Sequence, residues 1–238
     1  MVCSQVNFER LADAAVASFG ESEARDWADY SERASLHGPV GLQRKPGELL
    51  YTTPLGVGVS KGRSGHGWGR PDAAFWCCYG TGVEALARLR DGVFWRLPAG
   101  SATPGTDQHV DGDTVYVARV TTSASAVWEE RGGLTVTVRV DPFGTLDPSG
   151  KDQKSRQTTF ASVAAISVHS GKGTKSSKPT SIRVKLPRWS ISGSERSTTC
   201  TLNGEGVRCD DVSAGWCDVR REWSQTVSFF LSSYGQLN

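Results

Sequence analysis

The sequence predicts an α+β chain built in two parts, a short helical piece followed by an antiparallel β-sandwich. Apolar residues recur at a helical period near the N-terminus, and at a period of two beyond residue 113. Between these regimes lies a stretch, residues 99–113, dominated by Gly, Ser, Thr, Pro and Asp, which reads as a loop or linker. A length of 238 residues allows one large domain or two modest ones. The change of period sets the division, with a helical part at 1–97 and a sandwich with inserted loops at 98–238.

The elements follow in order. Phe8, Leu11, Ala12, Ala15, Val16 and Phe19 form an amphipathic stripe that Gly20 ends. A second helix is expected over about residues 23–36, with Trp27, Tyr30 and Ala34 inward, broken by Gly38 and Pro39. Leu49-Leu50-Tyr51 reads as a short buried strand. Residues 61–71 hold four glycines and a proline and read as a loop. Thr81 followed by Glu84 fits a capping box opening a helix, with Val83, Leu86 and Ala87 on one face and a stop near Asp91-Gly92. This helical part is too small to close its own core, so it is expected to expose apolar surface.

In the second part, Val115, Val117 and Arg119 alternate with Tyr116, Ala118 and Val120, and Leu134 to Val140 alternate with Thr and Arg. Further strands are expected at 158–168, 182–186, 198–202 and 226–231, and Asn203-Gly204 is a hairpin signal. Short strands between turns argue for an antiparallel sandwich, expected to be stable without the helices. Residues 149–156 and 170–178 are polar Lys/Ser/Gly-rich insertions.

Composition narrows the function classes. Twenty-seven basic against 25 acidic residues leave a net charge of +2, which gives no electrostatic case for nucleic acid or an anionic membrane. No run approaches the ~18 apolar residues of a membrane span. Residues 1–10 lack the apolar stretch of a signal peptide, so no localisation is assigned. Six cysteines are too few for a dense disulfide framework in a chain of this length.

The adjacent pair Cys77-Cys78 is the feature hardest to explain as packing. A lone buried cysteine is usually a small hydrophobe. Two in succession, flanked by Phe75-Trp76 and Tyr79 and entered from a glycine-rich loop, are less ordinary. On a strand their side chains would point to opposite faces. Both sulfurs meeting one metal therefore calls for an irregular backbone, which Gly80 and Gly82 permit. Spacing alone nominates no further ligand, and zinc takes about four.

The segments Ala28–Ala34, Tyr51–Val57, Ser60-Lys61, His66-Gly67-Trp68-Gly69 and Phe75–Gly82 follow one another, in order and spacing, as in glycoside hydrolase family 127, the β-L-arabinofuranosidases. Asp91–Phe94, Ile182–Trp189, Leu202–Glu205 and Arg221-Glu222-Trp223 continue that resemblance through the second part. The resemblance implies the C-terminal portion of an (α/α)6-barrel catalytic domain followed by the family's middle β-sandwich domain. It implies removal of β-L-arabinofuranose from an arabinofuranose-containing glycan or glycoprotein, with retention. Carried over residue by residue, Cys77 is the nucleophile, Cys3, Cys77 and Cys78 are Zn²⁺ ligands, and Tyr51 contacts the sugar, with a buried structural tyrosine as the equal alternative for Tyr51.

Two departures stand out. The position of the family's glutamate ligand is Met1 here, and its acid/base glutamate has no counterpart in the sequence. The chain alone is therefore expected to be a truncated, impaired enzyme. Two other readings remain at this level, a carbohydrate-binding or interaction sandwich module and a purely structural zinc site. His66 and Trp68 are expected to pack the loop, Glu84 to cap a helix, and His37, His109 and His169 to serve surface or packing roles. Cys200, Cys209 and Cys217 are expected to be mostly free thiols, with a Cys200–Cys209 bridge as the alternative.

Overall fold

The computed structural model describes residues 2–45, 47–54, 56–70, 72–103, 109–129, 134–141, 160–169, 179–188, 198–202, 205–206, 215–223 and 227–235. Two helices, α1 (Val2–Val16) and α2 (Glu21–Ser35), lead into a five-residue π turn, Leu36–Val40, that accommodates Pro39. A two-stranded ribbon follows, β1 (Gln43–Lys45) and β2 (Glu48–Leu49), then a 3₁₀ turn at Lys61–Arg63 and helix α3 (Cys77–Ala87). The remaining strands are β3 (Phe94–Leu97), β4 (Thr114–Val117), β5 (Ala124–Trp128), β6 (Leu134–Asp141), β7 (Phe160–His169), β8 (Thr180–Lys185), β9 (Thr198–Leu202), β10 (Glu205–Gly206), β11 (Trp216–Arg221) and β12 (Val227–Gly235).

The strands after α3 form two sheets, ordered β10-β9-β12-β7-β6-β5 and β11-β8-β4-β3. Inward side chains from both meet in one core. Val136, Val138 and Ile166 come from the first sheet, and Val115, Val117, Ile182 and Val184 from the second. This is the sandwich that the alternation predicts, with one correction. β4 and β8 run parallel, Thr114 to Val117 beside Ser181 to Val184. A parallel pair needs a long crossover, and β5 to β7 in the other sheet supply it.

The helices add a third layer. Val16, Ala24 and Ala28 pack against Ala118 and Trp216 on the outer face of the four-stranded sheet, with Trp95 and Tyr116 beside them. Small side chains on α1 and α2 let the helices approach that face closely. Of the expected inward residues, Ala12, Ala15, Val16 and Ala34 are buried, whereas the large ones are not. Phe8 and Leu11 are more than half exposed, and Phe19, Trp27 and Tyr30 are exposed too. The buried face carries Glu9 on α1 and Ala28, Ser31, Glu32 and Ser35 on α2.

Those buried polar groups meet cations from the sandwich. Arg119, 1% exposed, donates from one Nη to both Asp13 carboxylate oxygens at 2.8 Å and to Ser31 at 2.7 Å, and it pairs with Glu9. Lys185 Nζ donates to Glu32 Oε2 at 2.6 Å, and the other Glu32 oxygen accepts from the backbone of Val120 and Thr121. Buried charges are tolerated when paired and hydrogen-bonded in this way. Gly92 (φ +71°) follows the helical region containing α3, and a side chain there would collide with Asp13. Among the described residues, no helix is long and apolar enough to cross a membrane.

Candidate metal and thiolate site

Trp76 is extended (φ −78°, ψ 154°) and α3 begins at the next residue, so Cys77 and Cys78 occupy its first turn. The backbone there is regular helix, which corrects the expectation of an irregular segment. Successive helical side chains diverge by about 100°, so two neighbours can flank a third group placed between them. That group comes from the first turn of α1, which carries Cys3. Val2 and Val6 hold the two helices together in one cluster with Leu42, Leu50, Cys78 and Ala85.

The three sulfurs converge. Cys3 Sγ donates to Cys78 Sγ at 2.9 Å, Cys77 Sγ lies 4.0 Å from Cys78 Sγ, and all three lie within 4.8 Å of one another. Cys77 is exposed, Cys3 half-buried and Cys78 buried. Burial and the hydrogen bond it gives Cys78 push the Cys3 thiol above its ordinary value. Burial works against the Cys78 thiolate, but the hydrogen bonds from Cys3, Tyr51 and Cys77 outweigh it and hold this thiol low.

Tetrahedral zinc with Zn–S bonds of about 2.3 Å needs sulfurs roughly 3.8 Å apart, so the spacing suits that ion after small side-chain shifts. An all-sulfur set also disfavours the hard cations Mg²⁺ and Ca²⁺, which take oxygen ligands. The group could hold a metal ion. Among the described residues, no histidine or carboxylate joins it, and Met1 lies outside them.

Thr81 does not cap a helix. Its hydroxyl donates to the Cys77 carbonyl at 3.0 Å, one turn back, and lies 3.3 Å from Cys3 Sγ. Glu84 is exposed and pairs with Arg10 of α1 and with Arg88. The structure thus replaces the capping box with a contact to the thiol group and an ion pair joining α3 to α1. Spacing alone carried no signal for the Thr81 contact.

Tyr51 reaches the site from the segment after β2. Its hydroxyl lies 3.4 Å from Cys77 Sγ, and hydrogen bonding to Cys77 and then Cys78 pushes its ionisation well above the usual tyrosine value. The Tyr51 ring meets the rings of His66, Tyr79 and Trp76 at centroid distances of 4.5, 5.4 and 5.8 Å. His66 in turn lies edge-on to Trp76 at 4.0 Å.

The glycine-rich loop is pinned beneath these rings. Gly69 N donates to Leu49 O at 2.7 Å, Lys61 Nζ to Gly41 O at 2.6 Å, and Arg44 lies over the Trp68 ring at 4.9 Å. Any side chain at Gly69 would collide with the Tyr79 ring. Trp68 packs against the helix cluster as expected. His66 is exposed and faces the aromatic group.

The other candidates lie elsewhere. His37 is exposed, and the His109 ring bonds the Gly100 carbonyl at 2.8 Å. Cys217 is buried and disulfide-bonded, so the free-thiol expectation fails there. The side chains of Cys200 and Cys209 lie outside the described residues, as do Asn203 and Gly204, the expected hairpin signal; Leu202 and Glu205 are antiparallel partners.

Residues 3–91 match the family described as Beta-L-arabinofuranosidase, GH127 catalytic domain. No curated protein matches the chain. Among solved structures, one described as a GH127 beta-arabinofuranosidase is similar over 99% of this chain and 32% of its own, with 14% identity and a TM-score of 0.63. A second, described as a glycoside hydrolase, covers 87% of this chain and 29% of its own, at 13% identity and a TM-score of 0.56. A third is described as a GH127 beta-L-arabinofuranosidase from Geobacillus stearothermophilus T6. It covers 87% of this chain and 28% of its own at 17% identity, with a TM-score of 0.48. The chain spans about a third of the length of these structures. In sequence over residues 3–91, and in fold over nearly its whole length, the chain resembles glycoside hydrolase family 127.

Proposed function

We propose that these residues form the thiolate half of a retaining β-L-arabinofuranosidase site within an (α/α)6-barrel, with Cys77 as nucleophile and Cys3, Cys77 and Cys78 as zinc ligands. The observation that carries the reading is the convergence of three thiols inside the segment that matches the family's catalytic domain. The domain reading, catalytic residues up to 97 and sandwich from 98, belongs to the same proposal with its boundary moved before β3, because Phe94–Leu97 already pair with β4 in the four-stranded sheet. So does the substrate class, an arabinofuranose-containing glycan or glycoprotein, with no role for nucleic acid or membrane.

A thiol near its reference pKa of about 8.5 is mostly protonated at neutral pH. Bound zinc would supply deprotonation of the thiols and a fixed direction for their lone pairs. Cys77 is the exposed member of the group and the one beside Tyr51, which suits it to meet substrate. Its sulfur, as thiolate, attacks the anomeric carbon, the S–C bond forms as the C–O bond breaks, and the leaving oxygen takes a proton from solvent. Water then displaces the sulfur as thiolate in a second inversion and gives its proton to solvent, so configuration is retained.

The chain alone is proposed to turn over slowly. Positioned proton transfer contributes about 10²–10⁴-fold, and the thiol group contains no carboxylate. An activated dinitrophenyl β-L-arabinofuranoside needs no proton for its leaving group and isolates the nucleophilic step. Mass spectrometry of the zinc-loaded chain is expected to find one pentosyl unit on Cys77, and none in Cys77→Ser. A pentosyl unit elsewhere, or none at all, contradicts the assignment.

A further inference from the structure

We propose that Thr81 is a positioning residue for the metal ligand Cys3, its hydroxyl holding the Cys3 sulfur in place across the seam between α1 and α3. The proposal rests on the reading of Cys3, Cys77 and Cys78 as zinc ligands.

Residues three and four apart share one face of a helix, so Thr81 stands over Cys78 and Cys77 together on α3. Cys3 comes from the other helix, α1, and its sulfur meets α3 at two points. Cys78 Sγ lies 2.9 Å away and Thr81 Oγ1 lies 3.3 Å away. While Cys3 is a thiol, its S–H donates to Cys78 Sγ, and the single Thr81 hydroxyl proton goes to the Cys77 carbonyl at 3.0 Å. A zinc-bound thiolate has no proton to give and accepts hydrogen bonds instead. Cys78 would then be a ligand itself, so among the described contacts of Cys3 the Thr81 hydroxyl is the side-chain donor left for its sulfur. Turning the hydroxyl from the Cys77 carbonyl to Cys3 Sγ supplies that bond without moving the backbone.

Local helix energetics do not account for a threonine here. Threonine is a poorer helix former than alanine, and its bond to the carbonyl one turn back slightly destabilises a helix. The seam between α1 and α3 is closed by Val2, Val6, Cys78 and Ala85, which need no hydroxyl. What the hydroxyl adds is a directional contact to a sulfur that arrives from a different helix. Groups that bond a metal ligand from outside fix its orientation and are worth about 10–100-fold in metal affinity.

The test measures zinc affinity of the full chain by competition with a chromophoric chelator, and the sulfur-to-metal charge-transfer band of the cobalt(II)-loaded chain. Thr81→Val keeps the shape of the side chain and removes the hydroxyl. It is expected to weaken zinc binding by about tenfold and to shift the cobalt band, whereas Thr81→Ser restores both towards the original chain. In a Cys3→Ser background, Thr81→Val is expected to add little, because the sulfur it acts on is gone. If circular dichroism shows Thr81→Val to be unfolded, Thr81→Ala is measured in its place. Unchanged zinc affinity and cobalt band in Thr81→Val overturn the proposal while the zinc ligands stand. So does an equal loss in Thr81→Ser, or a full loss that persists in the Cys3→Ser background, either of which assigns Thr81 to the packing of α3. A chain that takes up no zinc with Thr81 intact overturns both readings.

Discussion

Lys185 Nζ and Glu32 Oε2 meet at 2.6 Å inside the protein, with side chains 0% and 3% exposed, and join the four-stranded sheet to α2. Beside them Arg119 gathers Glu9 and Asp13 of α1 and Ser31 of α2. The helices that carry Cys3 and the resemblance to a catalytic domain are thus fastened to the sandwich by charge as well as by Ala28 against Trp216.

Removing one partner of a buried pair leaves the other charge uncompensated and typically costs about 3–5 kcal/mol. Lys185→Ala and Glu32→Ala are each expected to lower the unfolding free energy by an amount in that range, read as a shift of the urea midpoint multiplied by the m-value. Lys185→Met combined with Glu32→Leu is expected to cost less than either single change. Equilibrium denaturation followed by tryptophan fluorescence checks this, and additive costs would contradict it.

Acid stability follows from the same cluster. Burial opposes the Glu32 carboxylate, but Lys185 and its hydrogen-bond donors outweigh burial and hold its pKa below the ordinary 4.5. Its stabilising contribution is therefore complete above that value and is lost as pH falls through the lower folded value. Glu9 has the opposite sign, because burial raises its pKa despite Arg119. It costs stability at neutral pH, and protonation in mild acid relieves that cost. Thermal melts are expected to hold steady or rise slightly from pH 7 towards pH 5, then to fall steeply below about pH 4. In Glu32→Gln the loss below pH 4 should be shallower.

The sandwich was legible in the sequence wherever strands alternate cleanly, and β9 has the expected bounds of 198–202. Other strands gave weaker signals. β5 is Ala-Ser-Ala-Val-Trp, with small side chains, and β11 ends in Asp218, Arg220 and Arg221 at the edge of its sheet. The third layer was hidden for a different reason. Hydrophobic size points to Phe8, Trp27 and Tyr30 as inward residues, whereas close helix–sheet approach selects Ala24 and Ala28 and a row of charges paired across 106 to 153 residues. Of the site, the Cys77-Cys78 pair stood out on composition, and Cys3 and Tyr51 came only through resemblance. The Thr81 contact and the aromatic group around Tyr51 depend on how α1, α3 and the loop meet, which no local pattern encodes.

The buried outer face of the four-stranded sheet bears on the expectation that the sandwich is stable alone. Trp216, Lys185 and Arg119 are each at most 1% exposed in the whole chain, and the helices help cover them. A segment of residues 98–238 is expected to show strand-type circular dichroism but a much lower melting temperature than the full chain, and to bind a hydrophobic dye. An unchanged melting temperature would show that the helical layer contributes nothing.

Accessibility orders the reactivity of the thiols. Cys77 is exposed and Cys78 is 1% exposed. In the metal-free chain, iodoacetamide is expected to modify Cys77 first and Cys78 last, followed by peptide mass spectrometry over time. Modification of Cys78 at the same rate as Cys77 would mean that α1 and α3 separate readily at the first turn.

The central claim is that Cys3, Cys77 and Cys78 hold one zinc ion together, and the most direct measurement is zinc K-edge X-ray absorption on the purified chain with metal content quantified in parallel. The predicted result is about one zinc per chain with roughly three sulfur neighbours at about 2.3 Å, falling by one sulfur in Cys3→Ser. A chain that takes up no zinc, or a zinc shell of nitrogen and oxygen unchanged by that substitution, would contradict it.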